Sequence, residues 1–265
     1  MTNWNPTVLL ETAEDVARHA GGLLLEKSQE PRKLTNKGFR DWVTDADVAA
    51  QDLIAKHIRS RFPDHGFLTE EAAPDLPGEG DVIWIVDPLD GTSNYSRGQS
   101  NFCVSIAAAA GQDVQVGVIY DPVRDELFSA AINQVGTLNG EPIAVSEIED
   151  PSRSIVGLDW GHSHTRRRKT LELLEAVAHD VHSVRAIGSA ALALAWVAAG
   201  RLDAYFNVNL KRWDYAAGAL LVTLAGGRFS TVSDGPVNLA HPTESCLASN
   251  GLLHQKYVDL LVRRQ

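Results

Sequence analysis

The stretch WIVDPLDGTSNY, Trp84 to Tyr95, constrains this chain more than any other. Trp84, Ile85 and Val86 are apolar, and all three are β-branched or aromatic types that suit a sheet interior. Two carboxylates, Asp87 and Asp90, then leave the core with Pro88 between them, and Gly91 and Thr92 follow. The pattern predicts a buried strand that stops at a proline-containing turn. Two like charges held that close repel unless a cation is shared between them. Carboxylates, the Leu89 carbonyl, water and substrate phosphate make an oxygen-rich set that suits Mg²⁺. Gly91 and Thr92 open a predicted helical turn whose free amides would accept a phosphate.

The rest of the chain alternates. Asn5-Pro6 reads as a cap with proline in the first turn, and Val8, Leu9, Ala13, Val16, Ala17, Ala20, Leu23 and Leu24 continue at helical spacing. QEPRKLTNKGFRD reads as an exposed loop or loose hairpin. A second helix begins near Thr44 or Asp45, buries Ala50, Leu53, Ile54, His57 and Ile58, and ends at Phe62-Pro63. The strand GFLT runs into Glu70-Glu71. Phe102 to Ala110, Val114 to Tyr120 and Glu126 to Ile132 read as a meander, with Asn139-Gly140 as a turn. From Ser154 the order becomes SIVGLDW, a helix from Thr165 to His179, HSVRAI, a small-residue helix from Ser189 to Ala199, DAYF, a helix from Trp213 to Ala225, RFST, CLAS and a last helix. Sheets covered by helices are the expectation, in two halves meeting near residues 140–152 of a single domain.

Composition narrows the function classes. The chain has 265 residues, is 44% hydrophobic and carries a net charge of −10, which argues against a nucleic-acid binder that needs a basic footprint. The N-terminus lacks the pattern of a signal peptide, and the longest apolar stretch, Ser189 to Gly200, is too short to span a bilayer. Cys103 and Cys246 lie far apart in apolar surroundings and read as buried thiols. A cytoplasmic location is the expectation.

Three further acids stand at element ends. Asp47 in TDAD opens the second helix, Glu70 closes a strand, and Asp214 follows Trp213 at a late helix start. Taken singly, Asp47 and Asp214 read equally well as helix-capping acids, and Glu70 as a solvated one.

Taken together, these segments resemble the inositol monophosphatase family of magnesium-dependent, lithium-sensitive phosphatases, whose fold is like that of fructose-1,6-bisphosphatase. WIVDPLDGTSNY is similar to its W-x-x-D-P-x-D-G-T-x-N-F/Y motif. FLTEE, VTDAD, RWDYAAGALLVTLAGG and RAIGSAALALAWVAAGRLDAYF resemble its remaining segments, in the same order, over roughly residues 10 to 250. The resemblance implies an α+β, layered αβαβα fold, usually a homodimer, acting on a small phosphorylated metabolite. It implies that Glu70, Asp87 and the Leu89 carbonyl hold one Mg²⁺ with the Thr92 hydroxyl beside it. Asp87, Asp90 and Asp214 would hold a second ion, and Glu70 would help with a third. The Gly91 and Thr92 amides would take the phosphate, and Asp47 and Thr92 would orient and deprotonate the attacking water. Asp90, Gly188, Ser189 and Ala190 would line the alcohol side.

One position departs from the family. A glutamate that contacts inositol hydroxyls falls here at Asn207, which is neutral and also donates. Lys211 and Arg212 lie close by and would meet a second anionic group. Inositol phosphate, fructose 1,6-bisphosphate, histidinol phosphate and a 3′-phosphonucleotide therefore all stay open as substrates, and a non-catalytic metal-binding scaffold is the other class of reading. The basic run Arg166 to Lys169 and the pair His162 and His164 read as surface residues.

Overall fold

The computed structural model describes residues 4–30, 34–38, 41–71, 76, 80–161 and 163–262. Helix α1 (Pro6–Ser28) starts behind Asn5, whose side chain accepts the Thr7 amide at 2.9 Å. Pro6 then occupies a position where no amide is required. The stretch read as a loop or loose hairpin pairs β1 (Leu34–Gly38) with β2 (Asp41–Thr44) in antiparallel fashion. Helix α2 (Asp45–Arg61) follows directly and is capped by Thr44.

A seven-stranded sheet comes next. Its members lie side by side in chain order: β3 (Gly66–Thr69), β4 (Ile83–Asp90), β5 (Cys103–Ala110), β6 (Asp113–Asp121), β7 (Glu126–Ala131), β8 (Thr137–Leu138) and β9 (Glu141–Pro142). The β3–β4 pair is parallel and the others are antiparallel. Short helix α3 (Thr92–Ser96) leaves the end of β4. Asn139 and Gly140 turn β8 into β9 with φ of 51° and 87°, the two positive values that a primed two-residue hairpin needs.

The second sheet is made of β10 (Ile155–Leu158), β11 (Ser183–Ala186), β12 (Ala204–Lys211), β13 (Arg228–Ser230) and β14 (Thr243–Ser249). Their spatial order is β11-β10-β12-β14-β13, with β10 parallel to both of its neighbours. Helices α4 (His164–Val177), α5 (Ala190–Ala198), α6 (Arg212–Leu224) and α7 (His254–Val262) intervene. The segment DAYF continues as far as Lys211, because β14 pairs with β12 at both ends of this stretch, with a register shift between Asn207 and Leu210.

Both faces of each sheet are covered, so the strands read as continuous apolar runs. Along β4 and β5 the side chains alternate between two cores. Trp84, Val86, Val104, Ile106 and Ala108 pack with Leu9, Val16 and Leu24 of α1 and Ile54 and Ile58 of α2. Ile85, Cys103, Ala107 and Ala109 face the other way, into α5 and α6, which also meet Tyr205, Cys246 and Ala248 of the second sheet. The far face of that sheet packs Val156, Leu158, Phe206 and Leu247 against Leu173 and Val177 of α4 and Tyr257 and Leu261 of α7. The layers are thus α1/α2, sheet, α5/α6, sheet, α4/α7: the αβαβα arrangement expected from the sequence. Each fully buried Leu, Ile or Val contributes about 1.5–3 kcal/mol. Cys103 and Cys246 are free and buried, and burial pushes both thiols well up. Among the described residues no helix is long and apolar enough to cross a membrane.

Helix α6 lies close against the first sheet because Gly117 of β6 has no side chain. A Cβ there would sit 2.8 Å from the Ala217 Cα and carbonyl oxygen, both backbone. Gly22, by contrast, is inside α1 with nothing within 4 Å of an added Cβ. Gly117→Ala is expected to destabilise by about 1–3 kcal/mol through overpacking, and Gly22→Ala to stabilise by up to about 1 kcal/mol through helix propensity. Urea denaturation of the two variants reads both signs, and a neutral Gly117→Ala would mean that α6 is not held at this distance.

Candidate active site

The carboxylates of β4 are brought together by a β-bulge. In the β4–β5 pairing, Ile85 faces Ala107, Asp87 faces Ser105 and Asp90 faces Cys103. From Asp87 to Asp90 is three steps on β4 but only two on β5. In a regular strand, positions three apart point to opposite faces. The one additional residue cancels that alternation, so both aspartates join the face that carries Ile85 and Cys103, toward α5 and α6. The sequence expectation of a strand ending before a turn is corrected here: β4 runs through Pro88 to Asp90, and proline is tolerated because a bulge leaves a position unpaired. Gly91 then turns the chain at φ 98°, where a Cβ would lie 2.7 Å from the Asn101 carbonyl oxygen.

Four carboxylates face one another: Asp87 and Asp90 of β4, Glu70 just after β3, and Asp214 of α6. Asp87 is buried, and its Oδ1 accepts the Leu89 amide at 3.0 Å. Burial, followed by the charges of Glu70, Asp90 and Asp214, holds its carboxyl well above the usual range. Asp90, the last residue of β4, faces the start of α5, and its Oδ2 accepts the Ser189 hydroxyl at 2.6 Å and the Ala191 amide at 2.7 Å. Burial raises it, and those donors oppose the rise. Asp214, in the first turn of α6, accepts the Lys211 amide at 2.7 Å. Burial and the charges of Asp90 and Glu70 push it well up, against a smaller opposing pull from Lys211. Glu70 follows β3, its amide donating to the Val86 carbonyl at 3.1 Å.

Among the described residues, Asp87, Asp90 and Asp214 take part in no ion pair. Oxygen donors held together against mutual repulsion, with the Leu89 carbonyl beside them, are the donor set a hard divalent cation takes. They are spaced more loosely than a closed cage: among the described residues, three candidate ligand atoms fall mutually within 4.8 Å only at Asp15, His19 and His57 on the outer helices.

Asp47 serves two purposes with its two oxygens. Oδ2 accepts the Thr44 amide at 2.8 Å and the Thr44 hydroxyl at 2.5 Å, closing a capping box at the start of α2. Oδ1 lies 3.0 Å from the Thr92 hydroxyl, which is also 3.1 Å from the Leu89 carbonyl oxygen. The two oxygens of Asp47 thus cap α2 and contact Thr92 at the same time. Asp47 is fully buried, and burial raises its pKa against the opposing bonds from Thr44 and Thr92. Asp214 likewise caps α6 while facing the other acids.

On the opposite side of Asp90, Gly188 turns at φ 78° and Ser189 caps α5. Asn94 braces this turn, its Nδ2 donating to the carbonyls of Asn101 at 2.6 Å and Ile187 at 3.0 Å. The sequence reading passed over Asp159. Its Oδ1 accepts the Gly188 amide at 2.5 Å and its Oδ2 the Tyr205 hydroxyl at 3.0 Å. Burial pushes its carboxyl up to about 7, with the Gly188 amide and Tyr205 hydroxyl opposing and the Asp90 charge adding. The signal was available: Asp159 follows an apolar strand segment just as Asp87 does. Asn207 is buried, with its Nδ2 donating to the Tyr205 hydroxyl at 3.1 Å and its Oδ1 accepting the Asn209 amide at 3.0 Å. Its link to the Gly188 turn thus runs through Tyr205 and Asp159. Ala190 begins α5 and is buried. Lys211 is exposed, while Arg212 is half-buried and donates to the Leu239 carbonyl at 3.3 Å. Arg167 lies over the Trp160 ring and Lys169 pairs with Glu172, so that basic run belongs to α4 and its neighbours. His164 starts α4, and His162 lies outside the described residues.

Known proteins resemble this chain in sequence and in fold. The inositol monophosphatase family model matches residues 5–265. Inositol monophosphatase 1 of Solanum lycopersicum is 36% identical over 260 residues, covering 95% of this chain and 94% of the relative. Nus factor SuhB of Escherichia coli strain K12 is 37% identical over 230 residues, 86% of each chain. Among solved structures, an inositol monophosphatase from Anabaena superposes with a TM-score of 0.86 at 34% identity, covering 98% of this chain and 97% of its own. The extragenic suppressor protein suhB of Bartonella henselae does so with a TM-score of 0.91 at 32% identity, covering 96% and 98%. The chain belongs to the inositol monophosphatase family and is a phosphoric monoester hydrolase.

Proposed function

We propose that the protein hydrolyses a small phosphate monoester, of the inositol-phosphate or sugar-phosphate kind, with Mg²⁺ held by Glu70, Asp87, the Leu89 carbonyl, Asp90 and Asp214. The observation that carries this reading is the bulge that turns Asp87 and Asp90 onto one face opposite Glu70 and Asp214. Bound there, the cation supplies charge neutralisation for the phosphate and a lowered pKa for water. The chain's own groups do the rest by position. The Gly91 and Thr92 amides receive phosphate oxygens at the start of α3. The Thr92 hydroxyl accepts a proton from the attacking water as it passes its own to Asp47 Oδ1, with which it is already aligned. Burial makes Asp47 a better proton acceptor than a surface carboxylate. Asp90, Gly188, Ser189 and Ala190 line the alcohol side, and Asn207 acts there through Tyr205 and Asp159. Lys211, which is exposed, is the cation available to a second phosphate.

A second reading rests on one observation: relatives at 37% identity carry the name Nus factor SuhB, not that of an enzyme. On that reading the same scaffold also meets a macromolecular partner. The Asp214→Asn variant separates the two roles, since a partner-binding role survives loss of turnover.

The direct test is release of inorganic phosphate from a panel containing inositol 1-phosphate, fructose 1,6-bisphosphate, histidinol phosphate and a 3′-phosphonucleotide. Excess chelator is expected to abolish activity and Mg²⁺ to restore it. Full activity in chelator would sink the metal-dependent mechanism, and hydrolysis of no ester in the panel would remove the substrate class.

A second measurement follows from the raised carboxyls. The folded chain keeps protons on Asp87 and Asp214 that the unfolded chain releases. Stability without metal therefore falls as pH rises from the ordinary carboxylate range toward those raised values. Metal binding opposes that loss and requires the ionised acids. Mg²⁺ is expected to raise Tm by several degrees at about pH 7.5 and much less at about pH 5. Equal thermal shifts at both pH values would count against these residues as ligands.

The proton path predicts a third outcome. Asp47→Asn and Thr92→Ala are each expected to slow turnover by about 10²–10⁴-fold, with Mg²⁺ affinity changing less than in Asp87→Asn. The double variant should lose less than the product of the single losses. Multiplicative losses in kcat would show that the two residues act separately.

A further inference from the structure

The outer surface of α1 and α2 carries a second group of candidate ligands. Asp15 and His19 stand four residues apart on α1, so they project from successive turns of one face. His57 reaches them from α2. One Asp15 carboxylate oxygen and one ring nitrogen of each histidine lie mutually within 4.8 Å. His57 Nε2 is 3.1 Å from Asp15 Oδ2, and His19 Nδ1 is 3.5 Å from Asp15 Oδ1. The two imidazoles have centroids 5.9 Å apart and planes tilted by 32°, so they are not stacked face to face.

His19 is also oriented from behind. Its Nδ1 lies 2.8 Å from the Asp15 backbone carbonyl. The tautomer that donates there leaves its lone pair on Nε2. Histidines that ligate metals commonly donate their other N–H in this way, which fixes ring and tautomer together.

The donor types select the ion. Mg²⁺ and Ca²⁺ take oxygen ligands and are poorly served by two imidazoles. Imidazole suits Zn²⁺, Cu²⁺ and Ni²⁺. Two nitrogens and one carboxylate oxygen leave a coordination position for water, as in three-ligand zinc sites. The net charge of −10 raises the local concentration of any cation. We propose that Asp15, His19 and His57 form a surface site for a divalent transition metal of the zinc class, which joins α1 to α2. None of the three residues belongs to the carboxylate site, so the site stands whatever the substrate proves to be.

Zinc itself is the probe. Titration calorimetry of the full chain with Zn²⁺, in a large excess of Mg²⁺, compares wild type with His19→Ala and His57→Ala. Each variant is expected to bind one equivalent fewer than wild type, while Asp214→Asn keeps that equivalent. Zinc that enters the carboxylate site is common to wild type and both histidine variants, so the difference isolates the surface. Cu²⁺ gives an independent readout: nitrogen hyperfine structure in its spectrum from wild type, lost in the double histidine variant. Circular dichroism checks that the variants are folded, and the exposed position of His19 on a helix favours alanine there. Equal Zn²⁺ stoichiometry in wild type and both folded variants would overturn the proposal, and so would a copper spectrum unchanged by the double substitution.

Discussion

Repulsion among Glu70, Asp87, Asp90 and Asp214 is the constraint around which the molecule is built. Four carboxylates that would separate in a flexible chain are kept together by elements with no freedom to move apart. The bulge in β4 fixes two of them to one face of a sheet buried on both sides. β3 and α6 supply the others. Burial raises the carboxyls of Asp87, Asp90 and Asp214, and at Asp87 and Asp214 the charges of the neighbouring acids raise them further. The rest of the core has to be stable enough to hold them there, which is why both sheets are covered on each face.

Helix N-termini oppose part of the repulsion. Asp47 lies in the first turn of α2, Asp214 in the first turn of α6, and Asp90 accepts amides at the start of α5. Each terminus presents free amides and the positive end of a helix dipole. Three such ends meeting near four carboxylates partly offset the anionic charge, and among the described residues no lysine or arginine makes an ion pair with Asp87, Asp90 or Asp214. A cationic side chain there would compete with a metal for the same oxygens, whereas backbone amides leave lone pairs available. Capping at these positions leaves room for the proposed chemistry, since a single carboxylate has two oxygens to share.

Close packing sets the distances. Gly117 lets the backbone of α6 approach β6, and Gly218 of α6 faces Leu194 of α5 where a Cβ would fall 2.5 Å from the leucine Cβ. The Ser105 hydroxyl donates to the Trp213 carbonyl at 3.2 Å and ties the start of α6 to the strand position opposite Asp87. Small residues thus bring Asp214 to the β4 acids, and a bulkier layer would hold it away. On the other side, Asp159, Tyr205 and Asn207 form a chain of hydrogen bonds behind the Gly188 turn. The neutral amide at Asn207 and the carboxylate at Asp159 therefore form one connected unit.

Local signals in the sequence determined much of this protein. Asn5-Pro6, Thr44 and Ser189 marked helix starts because a capping side chain and its amide are only two or three residues apart. Asn139-Gly140 marked a hairpin because two positive φ values suit those residues. The apolar runs separated strands from helices, and the order of acidic motifs named a family and a layered fold. Tertiary structure alone decided the rest. The bulge could not be read from DPLD, because spacing of three within one strand says nothing until the partner strand shows two. That Asp47 splits its oxygens between Thr44 and Thr92 depends on bringing together residues 45 positions apart. The engagement of Asn207 with Tyr205, the place of Asp159 behind Gly188, and the meeting of Asp15 with His57 are contacts of the same kind. Sequence carries the physics of near neighbours, where a few dihedral angles fix the geometry. Contacts across sheets and helices depend on how whole layers pack, and only the folded chain states that.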